Sequence, residues 1–393
     1  MVEPTLAIDP ANPKHWVVAV IVSSPDLSSS DCATLVTLDA GRTWKRYDLH
    51  VTECFDPWLG FVGKDEIWLG VLEKASSLRL FRSLDGGENW VRVPTAAEGV
   101  DHETFVSGQS HHANDREVYI VAEQDTREPV SGIDASSIMI MRSVTSVPSF
   151  QTINVIPALV SLNAMNPVVL EDGTLLVPYA DFGMASSDGD KPLQHPRSWL
   201  LRSRNQGKTF APPTLISEAC YRSWEWISLD SATQSPFRGR LYYACTGIDY
   251  HSILLNHSTD GGRTWLGPVS VFESSASQQQ RTPMIAVNRN GIVGMSWFED
   301  RIKSDNSSKA THCVELLFSV SVDGGTSFLT PVTVTGVPSC SSSVKKAKAE
   351  ERWPTGGDYT GLQATPDGVF HLVWSDARNG TADLWTAEVK QAK

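Results

Sequence analysis

Short apolar segments alternate with polar turns along the whole chain. Segments such as ATLVTL, LRLFRS and SILLNHS alternate apolar and polar residues with a period of two, which is typical of half-buried β-strands. No segment shows helical periodicity over a useful length. The pattern therefore predicts an all-β protein made of many short strands.

An eight-residue segment recurs after these strands and is called the box below. It has Ser or Thr first, Asp third, Gly fifth and Trp or Phe last, with Asn205 replacing the Asp in one copy. Five copies and a degenerate sixth, starting at Ser143, begin roughly 45 to 65 residues apart, which is typical of four-stranded blades. An Asp can accept hydrogen bonds from its own turn, whereas one Asp per turn lacks the oxygen ligands that calcium needs. We therefore interpret the box as a hairpin turn, at residues 37–44, 83–90, 203–210, 258–265 and 321–328.

A second unit recurs seven times between the boxes. Each copy has polar residues, a short strand, a turn with Gly, Asp or Asn, and an apolar strand, as in NPVVLEDGTLLVPYAD. Seven copies predict a β-propeller of seven antiparallel blades, each of about four strands, in one domain over residues 1–393. Six blades are the nearest alternative. The last copy has no box, and we expect a strand from the N-terminus to complete that blade.

The six cysteines form three close sequence pairs, which are Cys32 with Cys54, Cys220 with Cys245, and Cys313 with Cys340. In a chain of hairpins, the two members of a pair lie on either side of one hairpin. We therefore expect three local disulfides, each contributing about 3 kcal/mol to stability. Disulfides indicate an oxidising compartment, so we expect a secreted or periplasmic protein whose signal peptide is missing from this sequence. Buried free thiols in a cytosolic protein are the alternative.

Charge and hydropathy limit the partners of the protein. The net charge is −12 and the sequence pI is about 5.3, which argues against nucleic acid or an anionic membrane as a partner, since both need a basic surface. No segment approaches the roughly 18 apolar residues of a membrane-spanning helix. We expect a monomer that binds carbohydrate.

The boxes resemble the Asp-boxes, or BNR repeats, of the sialidase superfamily of β-propellers, and the resemblance covers essentially the whole chain. It implies the propeller fold and a ligand site at the propeller axis. The superfamily includes sialidases, other glycosidases, polysaccharide lyases and non-catalytic binding propellers, so the fold alone does not decide the function.

In a propeller, the residues that lead into the innermost strands converge on one face. Alignment of the seven units, to within one position, brings polar residues to this place in every blade. The alternative is that these residues cap strand ends and bind water. The aligned residues are Glu3, Asp56, His102 with Glu103, Asn166, Glu225, Arg281, and Asp358 with Tyr359.

Tyr359 occupies a place similar to that of the nucleophilic Tyr of sialidases. A phenol must be activated by a carboxylate, and we expect Glu225 to do so because Asp358, next to Tyr359 on a strand, faces the other way. Asp56 is the predicted acid/base. The predicted substrate-binding residues are Arg281, Arg352, Arg222, Asp358, Trp224 and Trp58. Where sialidases carry the first of three arginines for the sialic-acid carboxylate, this sequence has Glu3.

The best hypothesis from the sequence is an exo-acting glycoside hydrolase of sialidase type that removes a terminal acidic sugar. A uronate lyase using Tyr359, Arg281 and His102, with His111 or His112 nearby, is an alternative. A non-catalytic propeller that stacks sugars on tryptophan is another. No cofactor is required, but converging carboxylates could hold a structural Ca²⁺ in the tunnel, with Glu3 and Glu103 as ligands.

Overall fold

The computed structural model describes residues 1–24, 26, 28–74, 76–95, 97–109, 115–127, 134–157, 162–181, 196–221, 225–275, 278–303, 311–340 and 356–390. Within these ranges the chain forms strands and turns and no helix. None of the described segments is therefore a helix able to cross a membrane.

Seven antiparallel sheets, one for each blade, are arranged in chain order. Blade 1 contains β1 Val2–Ile8, β2 Trp16–Ser23, β3 Ser30–Thr37 and β4 Lys45–Asp48. Blade 2 contains β5 Cys54–Phe61, β6 Ile67–Glu73, β7 Ser77–Ser83 and β8 Val91–Val93. Blade 3 contains β9 Val100–Gln109, β10 Arg116–Arg127, β11 Asp134–Val144 and β12 Val147–Pro157. Blade 4 contains β13 Leu162–Ala164, β14 Val168–Val169, β15 Leu175–Asp181, β16 Arg197–Ser203 and β17 Thr214–Ser217.

The remaining three blades complete the ring. Blade 5 contains β18 Trp226–Leu229, β19 Leu241–Thr246, β20 Ser252–Ser258 and β21 Leu266–Glu273. Blade 6 contains β22 Gln278–Val287, β23 Val293–Lys303, β24 Thr311–Ser321, β25 Val332–Thr333 and β26 Ser339–Cys340. Blade 7 contains β27 Gly361–Ala364, β28 Phe370–Asp376 and β29 Asp383–Val389. The predicted seven-bladed propeller is confirmed, and the six-bladed alternative is wrong.

The ring closes between blade 7 and blade 1. Strand β1 contacts both β27 and β28, and the Glu3 backbone N–H donates to the Gly356 carbonyl at 2.7 Å. Blade 7 has only three strands among the described residues, because β1 is the inner strand of blade 1. The expectation that an N-terminal strand completes the last blade is therefore wrong.

The apolar core lies between neighbouring blades. The second strand of a blade, such as β2, β6 or β28, is buried along nearly its whole length, because adjacent blades cover both faces of the sheet there. This explains why these strands are continuous apolar runs, whereas the outer strand β4 is mostly exposed. The residues at the propeller axis therefore lie on the inner strands or just before them.

Each of the five boxes forms the turn between the third and fourth strands of its blade. In the box at 258–265, the Ser258 hydroxyl donates to Asp260 at 2.8 Å, and Asp260 accepts the Thr264 N–H at 3.0 Å and the Thr264 hydroxyl at 2.7 Å. Gly262 has a φ of 79°, and a Cβ there would lie 2.3 Å from Leu200 of the preceding blade. The box therefore closes a hairpin and packs it on the neighbouring blade.

The three predicted cysteine pairs are disulfides. Cys313 and Cys340 lie opposite each other on β24 and β26 within blade 6. Cys32 on β3, however, is bonded to Cys54 on β5, so this disulfide joins blade 1 to blade 2. The pair brackets the β3–β4 hairpin as expected, but its second cysteine lies in the next blade. Three disulfides fit an oxidising compartment.

We expect Asp260→Ala to lower the free energy of unfolding by about 1–3 kcal/mol, because four donors lose their acceptor. Asp260→Asn should lose less than half as much, since Asn205 forms the same turn naturally. Guanidinium denaturation of both variants measures the difference. Equal losses would contradict the hydrogen-bonding role.

We expect the double variant Cys32→Ala/Cys54→Ala to lose about 3 kcal/mol of stability under non-reducing conditions, because the disulfide closes a loop with a sequence separation of 22 residues. Denaturant unfolding under these conditions provides the measurement. When all disulfides are reduced in both proteins, this disulfide should cause no difference in the free energy of unfolding between the variant and the wild type. Wild-type stability in the double variant would exclude a stabilising role for the disulfide between blades.

Candidate functional site

A bulge recurs in four of the inner strands. Glu3, Asp56, His102 and Thr282 have φ values of 54°, 47°, 53° and 54°, and the strand register shifts at each of them. Positive φ is uncommon for residues other than glycine, and a bulge redirects the side chain next to it. The same backbone bulge therefore positions a polar side chain in each of four blades.

What we call the axial ring is the set of these four bulged residues together with the aligned polar residues of blades 4, 5 and 7, which lie just before an inner strand. Of the residues aligned from the sequence, Glu3, Asp56 and His102 lie at the bulge, Glu103 directly follows a bulged residue and Arg281 directly precedes one. The axial ring consists of Glu3, Asp56, His102, Asn166, Glu225, Thr282 and Tyr359.

A small cavity lies beside the axial ring and is called the axial cavity. Its volume is about 20 Å³, enough for one water-sized group. Residues from blades 2, 3, 4, 5 and 7 line it, namely Asp56, Trp58, His102, Glu103, Thr104, Ala164, Met165, Asn166, Glu225, Trp226 and Tyr359.

Three aromatic rings from three blades line this cavity and contact one another. Trp58 stacks on Trp226 with ring centroids 4.9 Å apart and an interplanar angle of 7°, and its edge meets Tyr359 at 5.9 Å. Trp58 also lines a larger cavity of about 550 Å³ on its other side. Trp58 is therefore shared by the walls of the two cavities.

Glu3 and Asp56 form a carboxyl pair. Their side chains hydrogen-bond each other, which requires one shared proton. Burial, together with the charges of Asp56 and Asp358, raises the pKa of Glu3 well above its usual value. Burial raises the pKa of Asp56 to about 6, although nearby His102 opposes the shift. Near neutral pH the pair therefore carries one proton, held mainly by Glu3.

Glu103 contributes a third carboxyl with a different environment. Only 3% of the residue is exposed, and neither carboxyl oxygen has a hydrogen-bond partner among the described residues. Burial, followed by the charge of Asp56, raises its pKa well above the usual value. Burial therefore favours the protonated form of Glu103, and its carboxyl is available to a group that enters the axial cavity.

Two hydroxyl groups donate hydrogen bonds to Glu225. It accepts hydrogen bonds from Ser198 at 3.2 Å and from the Tyr243 hydroxyl. Burial raises its pKa to about 8, while the bond from Ser198 acts in the opposite direction. The predicted role of Glu225 as the base for Tyr359 stays a prediction, and the structure shows Glu225 bonded to two other hydroxyls.

Tyr359 lies in the same cavity and is 5% exposed. Burial raises its pKa well above the usual value, and the charges of Asp56, Glu3 and Glu103 raise it further. The carboxyls that act on Tyr359 most strongly are thus those of blades 1, 2 and 3. The phenol is protonated at neutral pH and would need a proton acceptor in order to react.

His102 provides the positive charge of the axial cavity. Burial lowers its pKa, but the polar contact with Glu123 and the charges of Asp101 and Asp56 outweigh burial and raise it. His102 Nδ1 lies 3.5 Å from Glu123 on the adjacent strand β10. Sequence analysis missed Glu123, although it lies almost opposite His102 in the strand register.

The predicted arginines do not line the described part of the cavity. Arg281 is about half exposed, donates to Gln279 at 2.5 Å and lies 3.8 Å from Asp300 on its own blade. Arg222, Arg352 and Trp224 lie outside the described residues, as do His111 and His112. Asp358 is exposed at the rim, where its backbone N–H donates to Glu3 at 3.3 Å.

Known proteins share this fold at low sequence identity. No protein family and no curated protein matches the chain. Its fold is similar to that of a protein of unknown function from Dyadobacter fermentans, at a TM-score of 0.51 and 13% identity, over 81% of this chain and 94% of that one. A Hadza microbial sialidase matches at a TM-score of 0.46 and 12% identity, over 93% of this chain and 75% of that one. The Aleuria aurantia lectin matches at a TM-score of 0.43 and 12% identity, over 85% of this chain and 90% of that one. At these identities the likeness shows the fold alone.

Not every member of the axial ring is available for chemistry. Asn166 donates to the Ile227 carbonyl at 2.9 Å and accepts the Ile227 N–H at 3.0 Å, so its amide joins blade 4 to blade 5. Trp226 is a lining residue that follows Glu225 directly in the sequence. Its place after a ring position is the signal that could have identified it.

The tunnel carboxyls are more widely spaced than the ligands of a prearranged metal site. Among the described residues, three carboxylate or imidazole ligand atoms lie within 4.8 Å of one another only at Asp9, His15 and Asp65, away from the axial ring. Calcium held by Glu3 and Glu103 in the tunnel stays a prediction.

We expect Glu225→Gln to flatten the pH dependence of stability. The pKa of Glu225 is about 8 in the folded protein against an ordinary 4.5, so the folded state binds more protons between these values and stability falls as pH rises through them. Thermal unfolding from pH 5 to pH 9 should therefore show a smaller decrease in Tm for the variant. Exposed Glu88→Gln is the control and should keep the wild-type slope; an identical slope in Glu225→Gln would contradict the buried titration.

Proposed function

We propose that the protein is a glycoside hydrolase that removes a terminal sugar at the axial cavity. The observation that carries the proposal is that Tyr359 shares this cavity with Asp56, whose pKa of about 6 suits proton transfer near neutral pH.

In the proposed first step, Tyr359 Oη attacks the anomeric carbon and the bond to the leaving-group oxygen breaks. The phenol proton passes to Asp56, and Glu103 protonates the leaving oxygen. In the second step, water attacks the same carbon and the bond from that carbon to Tyr359 Oη breaks. The water gives one proton to Glu103, while Asp56 returns its proton to the Tyr359 oxygen. Two displacements retain the configuration at the anomeric carbon. This scheme assigns to Asp56 the base role that the sequence analysis predicted for Glu225.

The charge of the cavity bears on the choice of sugar. Among the described lining residues, His102 is the only basic one and three are carboxyls. In the described lining an acidic sugar would have His102 as its only basic partner, unless arginines from outside the described residues, such as Arg222 or Arg352, met its carboxylate. We therefore propose a neutral or amino sugar before the acidic sugar of the sialidase-type hypothesis. Because the cavity holds only one water-sized group, the sugar ring would lie over its mouth.

A non-catalytic carbohydrate-binding propeller is the second candidate. The stacked Trp58 and Trp226 rings favour it, because aromatic surfaces bind sugar faces without chemistry. The uronate lyase alternative would use Tyr359 and His102, which line one cavity, but it needs more positive charge than the described lining provides.

We expect the wild-type protein to release methylumbelliferone from at least one neutral or amino glycoside in a panel that also contains a sialoside. Tyr359→Phe should lower kcat at least about 100-fold, because it removes the nucleophile. In the wild type, kcat/KM should rise as pH increases through about 6, where Asp56 ionises, and Asp56→Asn should abolish this limb. Tyr47→Phe, on the outer strand β4, is the matched control and should leave the activity unchanged.

Other results of these assays would contradict the mechanism or favour a different function. Full activity in Tyr359→Phe would contradict the mechanism. Binding to a glycan array without turnover would support the binding module, and ultraviolet absorbance of an unsaturated product from acidic polysaccharides would support a lyase. Turnover of the sialoside alone would show that the acidic-sugar hypothesis was right.

A further inference from the structure

A second cluster of titratable side chains lies at the opposite end of the tunnel from the axial ring. Asp9 follows the end of β1 and His15 precedes β2, so both belong to one turn of blade 1. Asp65 lies in the corresponding turn of blade 2, between β5 and β6. One ligand atom from each of the three side chains lies within 4.8 Å of the other two.

The tautomer of His15 is determined by its hydrogen bond to the box of blade 2. His15 Nε2 lies 2.8 Å from the Gly86 carbonyl, so Nε2 carries a proton and donates it. In a neutral imidazole, Nδ1 then presents a lone pair. Metal-binding histidines commonly show this arrangement, in which the second ring nitrogen donates to a backbone carbonyl.

The lone pair of Nδ1 faces a carboxylate oxygen. Nδ1 lies 3.6 Å from Asp9 Oδ2, beyond hydrogen-bonding distance, and has no hydrogen-bond partner among the described residues. The other Asp9 oxygen, Oδ1, accepts the Ala11 N–H at 2.8 Å, which leaves Oδ2 for the cluster. Two ligand atoms about 2.1 Å from one ion lie roughly 3.4 Å apart in a tetrahedral site, close to the observed separation.

Burial makes the cluster costly without a cation. Asp9 and His15 are 2% and 4% exposed, and a buried carboxylate requires a compensating charge. Asp65 is half-buried, and Asp9 borders the cavity of about 550 Å³, which provides access for an ion and space for water ligands.

The backbone holds the cluster in place from both blades. The Gly86 N–H donates to the Asp65 carbonyl at 2.9 Å, so Gly86 contacts two of the three residues through its main chain. A Cβ on Gly86 would lie 2.5 Å from His15 Cε1. Only glycine therefore permits this close approach, and the box of blade 2 positions the imidazole.

We propose that Asp9, His15 and Asp65 bind a divalent transition-metal ion of the Zn²⁺ class, which joins blade 1 to blade 2. One imidazole and two carboxylates suit Zn²⁺, whereas Ca²⁺ takes six to eight oxygen ligands and does not favour nitrogen. The site is separate from the axial cavity, and the proposal does not depend on the proposed hydrolase activity.

The test uses the full chain after treatment with EDTA and removal of the chelator. Isothermal titration with ZnCl₂ should show one tight site in the wild type, and Zn²⁺ should raise Tm. Asp65→Asn removes a ligand at a half-buried position and should weaken Zn²⁺ affinity at least tenfold while keeping the metal-free Tm near that of the wild type. His50→Asn is the matched control, because His50 is exposed and lies 3.9 Å from Asp31, and it should bind Zn²⁺ as the wild type does.

Three outcomes would overturn the proposal. The first is a wild-type protein that does not bind Zn²⁺. The second is Zn²⁺ affinity that is the same in Asp65→Asn as in the wild type, which would place the ion elsewhere. The third is tight binding of Ca²⁺ with no binding of Zn²⁺, which would exclude the transition-metal class.

Discussion

Closure of the ring between blade 7 and blade 1 is the constraint on which the rest of the structure depends. Glu3 takes part twice, since its backbone N–H binds Gly356 and its carboxyl accepts the Asp358 N–H. Gly357 permits this approach, because a Cβ there would lie 2.1 Å from Glu3 Cγ. The residue that completes the fold thus also supplies one carboxyl of the axial pair, so fold closure and site assembly depend on the same contacts.

The axial site concentrates acidic groups where water is scarce. A carboxyl loses hydration on burial and is repelled by its neighbours, so Glu3, Asp56, Glu103 and Glu225 all have raised pKa values. Such burial opposes stability above acidic pH. The apolar strands between the blades and the disulfide from blade 1 to blade 2 offset this cost, and the result is a set of groups that can exchange protons near neutral pH.

Much of the fold could be predicted because its signals are local. The first Ser and the Asp of the box form hydrogen bonds to residues at most four positions away, as Ser258 and Asp260 show, so these bonds can be predicted from an eight-residue segment. Counting the units identified seven blades. The cysteine pairing was also predictable from short spacings, but whether Cys32 and Cys54 lie in one blade was not, because that depends on how neighbouring blades pack.

The sequence by itself determined the blade repeat, the turns and which residues lead into the inner strands. Only the tertiary structure decided how these residues are paired: Glu3 with Asp56, Glu225 with Tyr243, and His15 with Gly86. The physical reason is distance along the chain. Turn hydrogen bonds are set by local backbone geometry, whereas these contacts join residues that are brought together only by ring closure or by packing between strands and blades, and burial at those places changes their protonation.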